Sequence, residues 1–178
     1  VVCDEAYVEF GGETAIPLLA RHPRLVVLRT FSKAVGLAGL RFGVALAHPE
    51  DAREIAKAKL PYNVNLVTLE AAEVVLDHAD RITTRVAEIC DRRDRMLLAL
   101  RTIPGLVAYD SAANFCIIRC ESVPAREVFR RLLEEFGILI RDVSSATDLE
   151  QCLRISVGTE DDITAVLAAL RTIFGEAA

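Results

Sequence analysis

Apolar positions along this chain change their spacing twice. Residues 1–3, 25–28 and 44–47 are apolar at every position and are bounded by polar or turn residues. Runs of that length, rich in β-branched residues, predict buried strands with connections between them, as in part of an open α/β sheet. Residues 13–21 can form a short helix, stopped by His22-Pro23. A second stretch follows helical spacing. Residues 51–59 predict a short helix ended by Leu60-Pro61, and 65–77 predict another. Over 81–103, Ile82, Val86, Ile89, Arg93, Met96 and Leu100 mark about one face of a long helix, closed by Pro104-Gly105. Beyond it, 106–109, 115–120, 138–141 and 152–157 read as strands, and 123–136 and 160–174 as helices. The predicted organisation is an α/β region over 1–80, a linking helix over 81–104 and a small α+β domain over 105–178. No internal repeat or low-complexity segment is present.

Composition narrows the setting. Of 178 residues, 52% are hydrophobic and 26% charged, which supports a packed core and excludes wholesale disorder. No apolar run approaches the roughly 18 residues of a membrane helix, so a soluble protein is expected. The net charge of −5 argues against a nucleic-acid binder that relies on a basic surface. The five cysteines are odd in number and lack CxxC spacing. They predict reduced, buried thiols in a cytoplasmic protein, with no disulfide framework and no metal site. The chain begins at Val1, inside a predicted strand, so a missing N-terminal portion is expected.

Candidate chemistry centres on a lysine. Lys57 and Lys59 lie on a polar helix, whereas Lys33 follows a buried strand and precedes the glycine-spaced stretch Gly36-Leu37-Ala38-Gly39. By residue type alone, a lysine there is more often a solvated loop residue than a nucleophilic amine. Its neighbours change that reading. Asp4 ends the preceding strand. If the two strands are adjacent and parallel, Asp4 and Lys33 emerge at one sheet edge. Tyr7 lies just beyond Asp4, Ser32 precedes the lysine, and Arg41 follows glycines that permit close approach to a bound group. Pyridoxal 5'-phosphate uses all five: a carboxylate for its ring nitrogen, a phenol for its ring oxygen, an amine for its aldehyde, and a hydroxyl and guanidinium for its phosphate.

Those residues carry a resemblance. Asp4-Glu5-Ala6-Tyr7-Val8-Glu9-Phe10 and the run from Arg29-Thr30-Phe31-Ser32-Lys33 to Leu40-Arg41-Phe42-Gly43 resemble the type I fold of pyridoxal-phosphate-dependent aminotransferases (class I/II). Within these, the chain is most similar to the histidinol-phosphate aminotransferase group. The likeness continues through Pro61-Tyr62-Asn63, Ala113-Asn114-Phe115, Gly137-Ile138-Leu139-Ile140-Arg141-Asp142 and Leu153-Arg154-Ile155-Ser156-Val157-Gly158-Thr159. It implies an α/β fold: the C-terminal part of a large cofactor-binding domain with a partial, mostly parallel sheet, then a small α+β C-terminal domain. It also implies roles. Asp4 pairs with the ring nitrogen, Tyr7 with the ring oxygen, and Ser32 and Arg41 with the phosphate. Lys33 is the catalytic residue, joining the aldehyde and then moving a proton. Arg154 binds substrate carboxylate or phosphate, with Arg141 the weaker candidate for the second anion. The implied reaction moves an amino group between glutamate and imidazole-acetol phosphate, in a homodimer acting on small molecules with no nucleic acid or membrane partner. Other members of the group act on aromatic amino acids, and threonine-phosphate decarboxylases share the cofactor motifs. A truncated chain without turnover is the non-enzymatic alternative.

Several of these residues also have plainer readings. Arg154, between Leu153 and Ile155, could be a solvated strand-edge residue. Arg141 could pair with Glu134 or Asp142. Tyr62 and Asn63 line the cofactor site or only shape the turn after Pro61. His22, His48 and His78 read as structural.

Overall fold

The computed structural model describes residues 1–175. The chain divides into two compact units, residues 1–87 and 88–178.

The first unit carries a three-stranded sheet of order β1-β2-β3, built from β1 (Val2–Asp4), β2 (Val26–Thr30) and β3 (Gly43–Ala47). β1 and β2 are parallel, with Asp4 opposite Leu28. β3 departs from the mostly parallel expectation and runs antiparallel to β2, with Thr30 opposite Gly43. The connection explains this, because residues 31–42 fold back on themselves. The Phe31 N–H donates to the Phe42 carbonyl at 3.0 Å, and the two rings meet edge to face at 4.8 Å. β3 therefore starts at the sheet edge where β2 ends. Val27 and Phe10 are fully buried, and Leu25 and Ala34 nearly so.

The helix expected over 13–21 is instead a 3₁₀ turn over Ile16–Ala20. Its start is tied elsewhere, since the Thr14 hydroxyl and the Ala15 N–H both donate to the Glu5 carboxylate. Helix α1 (Pro49–Lys57) has Pro49 in its first turn, and the His48 imidazole accepts from the Glu50 N–H at 3.4 Å. Helix α2 (Leu66–Leu76) is capped by Asn65, whose side chain accepts from the Thr68 N–H at 2.9 Å. It is apolar around most of its circumference, and Leu66, Val67, Leu69, Val74 and Leu76 are exposed. The long helix α3 (Ala79–Leu100) buries the expected stripe, with Val86, Arg93, Met96 and Leu100 all buried. The division between the two units falls within it.

The second unit holds an antiparallel sheet of order β4-β5-β7-β6. Its strands are β4 (Leu106–Ala108), β5 (Phe115–Cys120), β6 (Arg141–Asp142) and β7 (Cys152–Ser156). Helices α4 (Ala125–Phe136) and α5 (Glu160–Gly175) pack with it around a core that includes Met96, Ile118, Val128, Leu132, Leu153 and Leu170. The strand expected over 138–141 shortens to Arg141–Asp142. Gly137 takes a left-handed conformation (φ 68°), and the Ile138 N–H donates back to the Leu132 carbonyl at 2.8 Å. Residue 138 thus helps close α4 and is not free to pair in the sheet. Cys116 and Cys120 belong to the core, and burial pushes their thiols up to about 11 and about 12, so both stay protonated. Among the described residues no helix is long and apolar enough to cross a membrane.

A half-buried ion pair joins the residue that follows β1 to β2. The Arg29 Nε donates to Glu5 Oε2 at 2.7 Å, and Glu5 is 5% exposed. Burial raises the pKa of Glu5, but donors from Ala15, Thr14 and Arg29 more than offset it, and the carboxyl lies below its ordinary range. A depressed carboxyl stabilises the fold above its unfolded pKa, and that contribution disappears as pH falls through the folded value. Glu5→Gln leaves buried donors poorly matched and is expected to cost about 1–3 kcal/mol near neutral pH. Thermal melts of both forms should converge as pH drops below about 4. A gap that stays constant into acid would contradict the charged pair.

Candidate active site

The parallel pairing of β1 and β2 brings their C-terminal ends to one edge, and the predicted cofactor residues lie on the turns leaving it. Asp4 is the last residue of β1, and its Oδ1 accepts from the Ala6 N–H at 3.0 Å, which orients the carboxyl. Tyr7 follows in that turn. The Lys33 Nζ lies 5.3 Å from the centroid of the Tyr7 ring, so the amine and the phenol ring are in contact.

Lys33 itself is exposed, whereas Ala34 beside it is 3% exposed and anchors the loop. The loop is held through its backbone. The Gly36 N–H donates to the Lys33 carbonyl at 3.0 Å, and the Leu37 N–H to the Phe31 carbonyl at 2.8 Å. Gly36 has φ +80°, a conformation that excludes most side chains. The Ser32 N–H donates to the Thr30 hydroxyl at 3.1 Å. Arg41 adopts the left-handed region at φ 53°, and its guanidinium donates to the Ala38 carbonyl at 2.9 Å. The structure thus puts Lys33 against Tyr7, and places Asp4, Ser32 and Arg41 on segments that leave or re-enter the same edge. Tyr62 is fully exposed at φ 56°, in the turn after Pro61.

The two candidate anion-binding arginines stand opposite each other in the second unit. Arg141 on β6 pairs directly with Arg154 on β7. β7 is an inner strand of the sheet and Arg154 is half-buried, so the solvated-edge reading does not hold. Its Nε is buried with no hydrogen-bond partner among the described residues, and its guanidinium lies 5.0 Å from the centroid of the Phe115 ring. The carboxylates weighed as partners for Arg141 are engaged elsewhere: Glu134 accepts from Arg130, and Asp142 from Ser144. Like charges facing across a strand pair repel, which favours an anion between them. Both arginines line a cavity of about 510 Å³ together with Gly137, Leu139, Ser156 and Gly158.

Sequence reasoning assigned no role to Glu5, Thr14, Arg29 or Phe115. The first and third meet only through strand register, which neither segment specifies alone. A register that sets Asp4 against Leu28 makes Glu5 and Arg29, of opposite charge, neighbours one step further along. Arg93 was placed on the buried face of α3. It is 7% exposed, and its Nη1 donates to the Ala113 carbonyl at 3.3 Å, bracing the loop before β5.

An acid and a lysine at the end of a parallel strand pair, followed in the chain by a small antiparallel α+β unit, define part of a type I transferase fold. The chain belongs to the aminotransferase class I and II family, whose model matches residues 1–170. It is 43% identical over 172 residues to the histidinol-phosphate aminotransferase of Roseiflexus castenholzii, an alignment covering 96% of this chain and 46% of that one. The crystal structure of histidinol-phosphate aminotransferase from Sinorhizobium meliloti in complex with pyridoxal-5'-phosphate matches with a TM-score of 0.87 and 31% identity, over 99% of this chain and 49% of that one. L-threonine-O-3-phosphate decarboxylase from Porphyromonas gingivalis matches with a TM-score of 0.88 and 28% identity, over 98% and 55%. The chain spans about half the length of the curated relatives it matches.

The lysine loop depends on one close approach. A Cβ on Gly43 would lie 2.8 Å from the Arg29 carbonyl oxygen, a backbone atom that cannot swing aside. Gly43→Ala is expected to separate β3 from the end of β2 and to cost about 1–3 kcal/mol. Thermal unfolding should show that loss, and hydrogen exchange should speed up at Phe31 and Leu37. Unchanged exchange there would mean that the loop does not rely on this strand pairing.

Proposed function

We propose that the chain supplies the lysine-bearing part of a pyridoxal-phosphate-dependent aminotransferase. The observation that carries this reading is the Lys33 amine against the Tyr7 ring, beside an acid-terminated parallel strand. The donor set fits the cofactor: an accessible amine, a carboxylate, a phenol, a hydroxyl and a guanidinium leave or re-enter one edge. When bound, pyridoxal phosphate contributes an electrophilic aldehyde and a ring that accepts negative charge from the substrate carbon. Asp4 would accept a hydrogen bond from the ring N–H and keep that proton in place. Tyr7 donates to the ring oxygen. Ser32 and Arg41 hold the phosphate. Lys33 would hold the cofactor through its amine and would then be placed to carry a proton to and from the substrate carbon.

For the whole protein, the substrates we propose are glutamate with 2-oxoglutarate, and histidinol phosphate with imidazole-acetol phosphate, which places it in histidine biosynthesis. Support comes from relatives named histidinol-phosphate aminotransferase at 37–43% identity along nearly all of the chain. The facing Arg141 and Arg154 suit substrates that carry phosphate or carboxylate. Threonine-phosphate decarboxylation is the second reading, favoured by the match at 28% identity, and the aminotransferase relatives support the first better. Transamination of aromatic amino acids is a third. A homodimer in the cytoplasm completes the proposal, and the five free cysteines suit that reducing compartment.

Two substitutions in the whole protein test the reading. Lys33→Ala should abolish borohydride trapping of pyridoxal phosphate, and peptide mapping of the unsubstituted protein should find the label on Lys33. Label on Lys57 or Lys59 instead would sink the assignment. Arg154→Lys keeps a charge but loses the planar fork. It should lower kcat/KM for both half-reactions by about 2 kcal/mol, roughly 30-fold, while the visible spectrum of the bound cofactor stays unchanged. Normal turnover of glutamate would remove Arg154 from substrate binding.

A further inference from the structure

Asp4 ends β1 and Lys33 lies in the loop that leaves β2, and the chemistry proposed for them needs a set spacing between carboxylate and amine. One side chain, four residues before Lys33, uses three donors on the segment that follows Asp4. The Arg29 Nε donates to Glu5 at 2.7 Å, its Nη1 to Glu9 at 2.8 Å and its Nη2 to the Thr14 hydroxyl at 3.0 Å. Thr14 in turn donates to Glu5 at 2.9 Å, and the Ala15 N–H reaches the other Glu5 oxygen, so the group closes on itself. Glu5 directly follows Asp4. Its N–H donates to the Leu28 carbonyl at 3.0 Å, extending the strand ladder past the acid. Arg29 opens the five-residue run that ends at Lys33, and it is paired in the sheet with Val44 of β3. A shift of Glu5 therefore moves Asp4, and a shift of Arg29 moves Lys33.

We propose that Arg29 is a positioning residue for the lysine site: by bridging Glu5, Glu9 and Thr14 it sets the spacing between the Asp4 carboxylate and the Lys33 amine. The proposal rests on the cofactor reading above. A guanidinium suits this group because the three acceptors are met from three separate nitrogens of one rigid plane, whereas an ammonium donates from a single nitrogen. Displacements of about an ångström in such sites cost rate steeply, without contact to the reacting atoms.

The test uses the whole protein with pyridoxal phosphate as the probe. It reads the rate of borohydride-trapped label at Lys33 by peptide mass spectrometry, the visible absorption maximum at saturating probe, and the thermal midpoint without probe. Arg29→Lys should label Lys33 about tenfold more slowly per folded molecule and shift the absorption maximum. A merely structural residue would lower the midpoint and leave rate and maximum alone, and that result overturns the proposal. If Arg29→Lys does not fold, Glu9→Gln decides, since Glu9 is the exposed arm of the group. It should slow labelling about threefold at an unchanged midpoint. Labelling at the unsubstituted rate in the folded Glu9→Gln form overturns the proposal, while the cofactor reading stands. If the unsubstituted protein takes no label at Lys33, the cofactor reading falls, and the proposal with it.

Discussion

Val2, Cys3 and Asp4 pair in parallel with Val26, Val27 and Leu28, and the first unit is organised by that register. Parallel pairing sends both chains out of the sheet at the same edge. Antiparallel pairing would place Asp4 beside the start of β2 and separate it from Lys33 by the length of the strand. The register also makes Glu5 and Arg29 neighbours, so the strands are joined by an ion pair as well as by their ladder. The antiparallel return of β3 keeps the intervening loop at that edge, because residues 31–42 leave and re-enter the sheet at Thr30 and Gly43. Burial of Val27 and Phe10 holds the register, since a one-residue slip would turn Val27 out of the core.

The second unit uses alternation along a strand in the same way. Leu153 and Ile155 are buried, and Arg154 between them points to the opposite face of β7. Facing it with Arg141 costs electrostatic repulsion, and the apolar core beneath the sheet carries that cost. The segment after Arg154 is firmly held. The Val157 N–H donates to the Asn114 carbonyl at 2.9 Å, and Thr159 and Asp162 cap α5 reciprocally. The Thr159 hydroxyl and N–H hold the Asp162 carboxyl below its ordinary range. Glu160 is bound by Arg95 of α3, an exposed pair whose energetic weight is small but whose geometry adds a further tie at the start of α5.

Three features that look incidental belong to this scheme. Gly43 is small because a Cβ there would lie only 2.8 Å from the Arg29 carbonyl oxygen, Gly36 turns the lysine loop at a positive φ, and Arg93 is buried to brace the loop before Phe115. Each is a local exception to ordinary residue preference next to a candidate binding group, where such exceptions are expected to concentrate.

The linear pattern determined a great deal. The apolar runs marked the strands, but not their burial: Val27 on β2 is fully buried, whereas β1 and β3 are mostly exposed, with Val2 and Val44 at the surface. The stripe on α3 read at helical period because Val86, Arg93, Met96 and Leu100 fall on one buried face. The five candidate cofactor residues stood out because amine, acid, phenol, hydroxyl and guanidinium gather in two short segments. Tertiary structure alone decided the rest. Strand direction is not encoded in an apolar run, so the antiparallel course of β3 was invisible. The Ile16–Ala20 turn formed in place of a longer helix because Glu5, ten positions before Ala15, claimed the donors at its start. The ion pair of Glu5 with Arg29, the stacking of Arg154 on Phe115 and the meeting of Arg141 with Arg154 each join residues distant in the chain. Their contact depends on register, a property of paired strands that neither strand's residues specify alone.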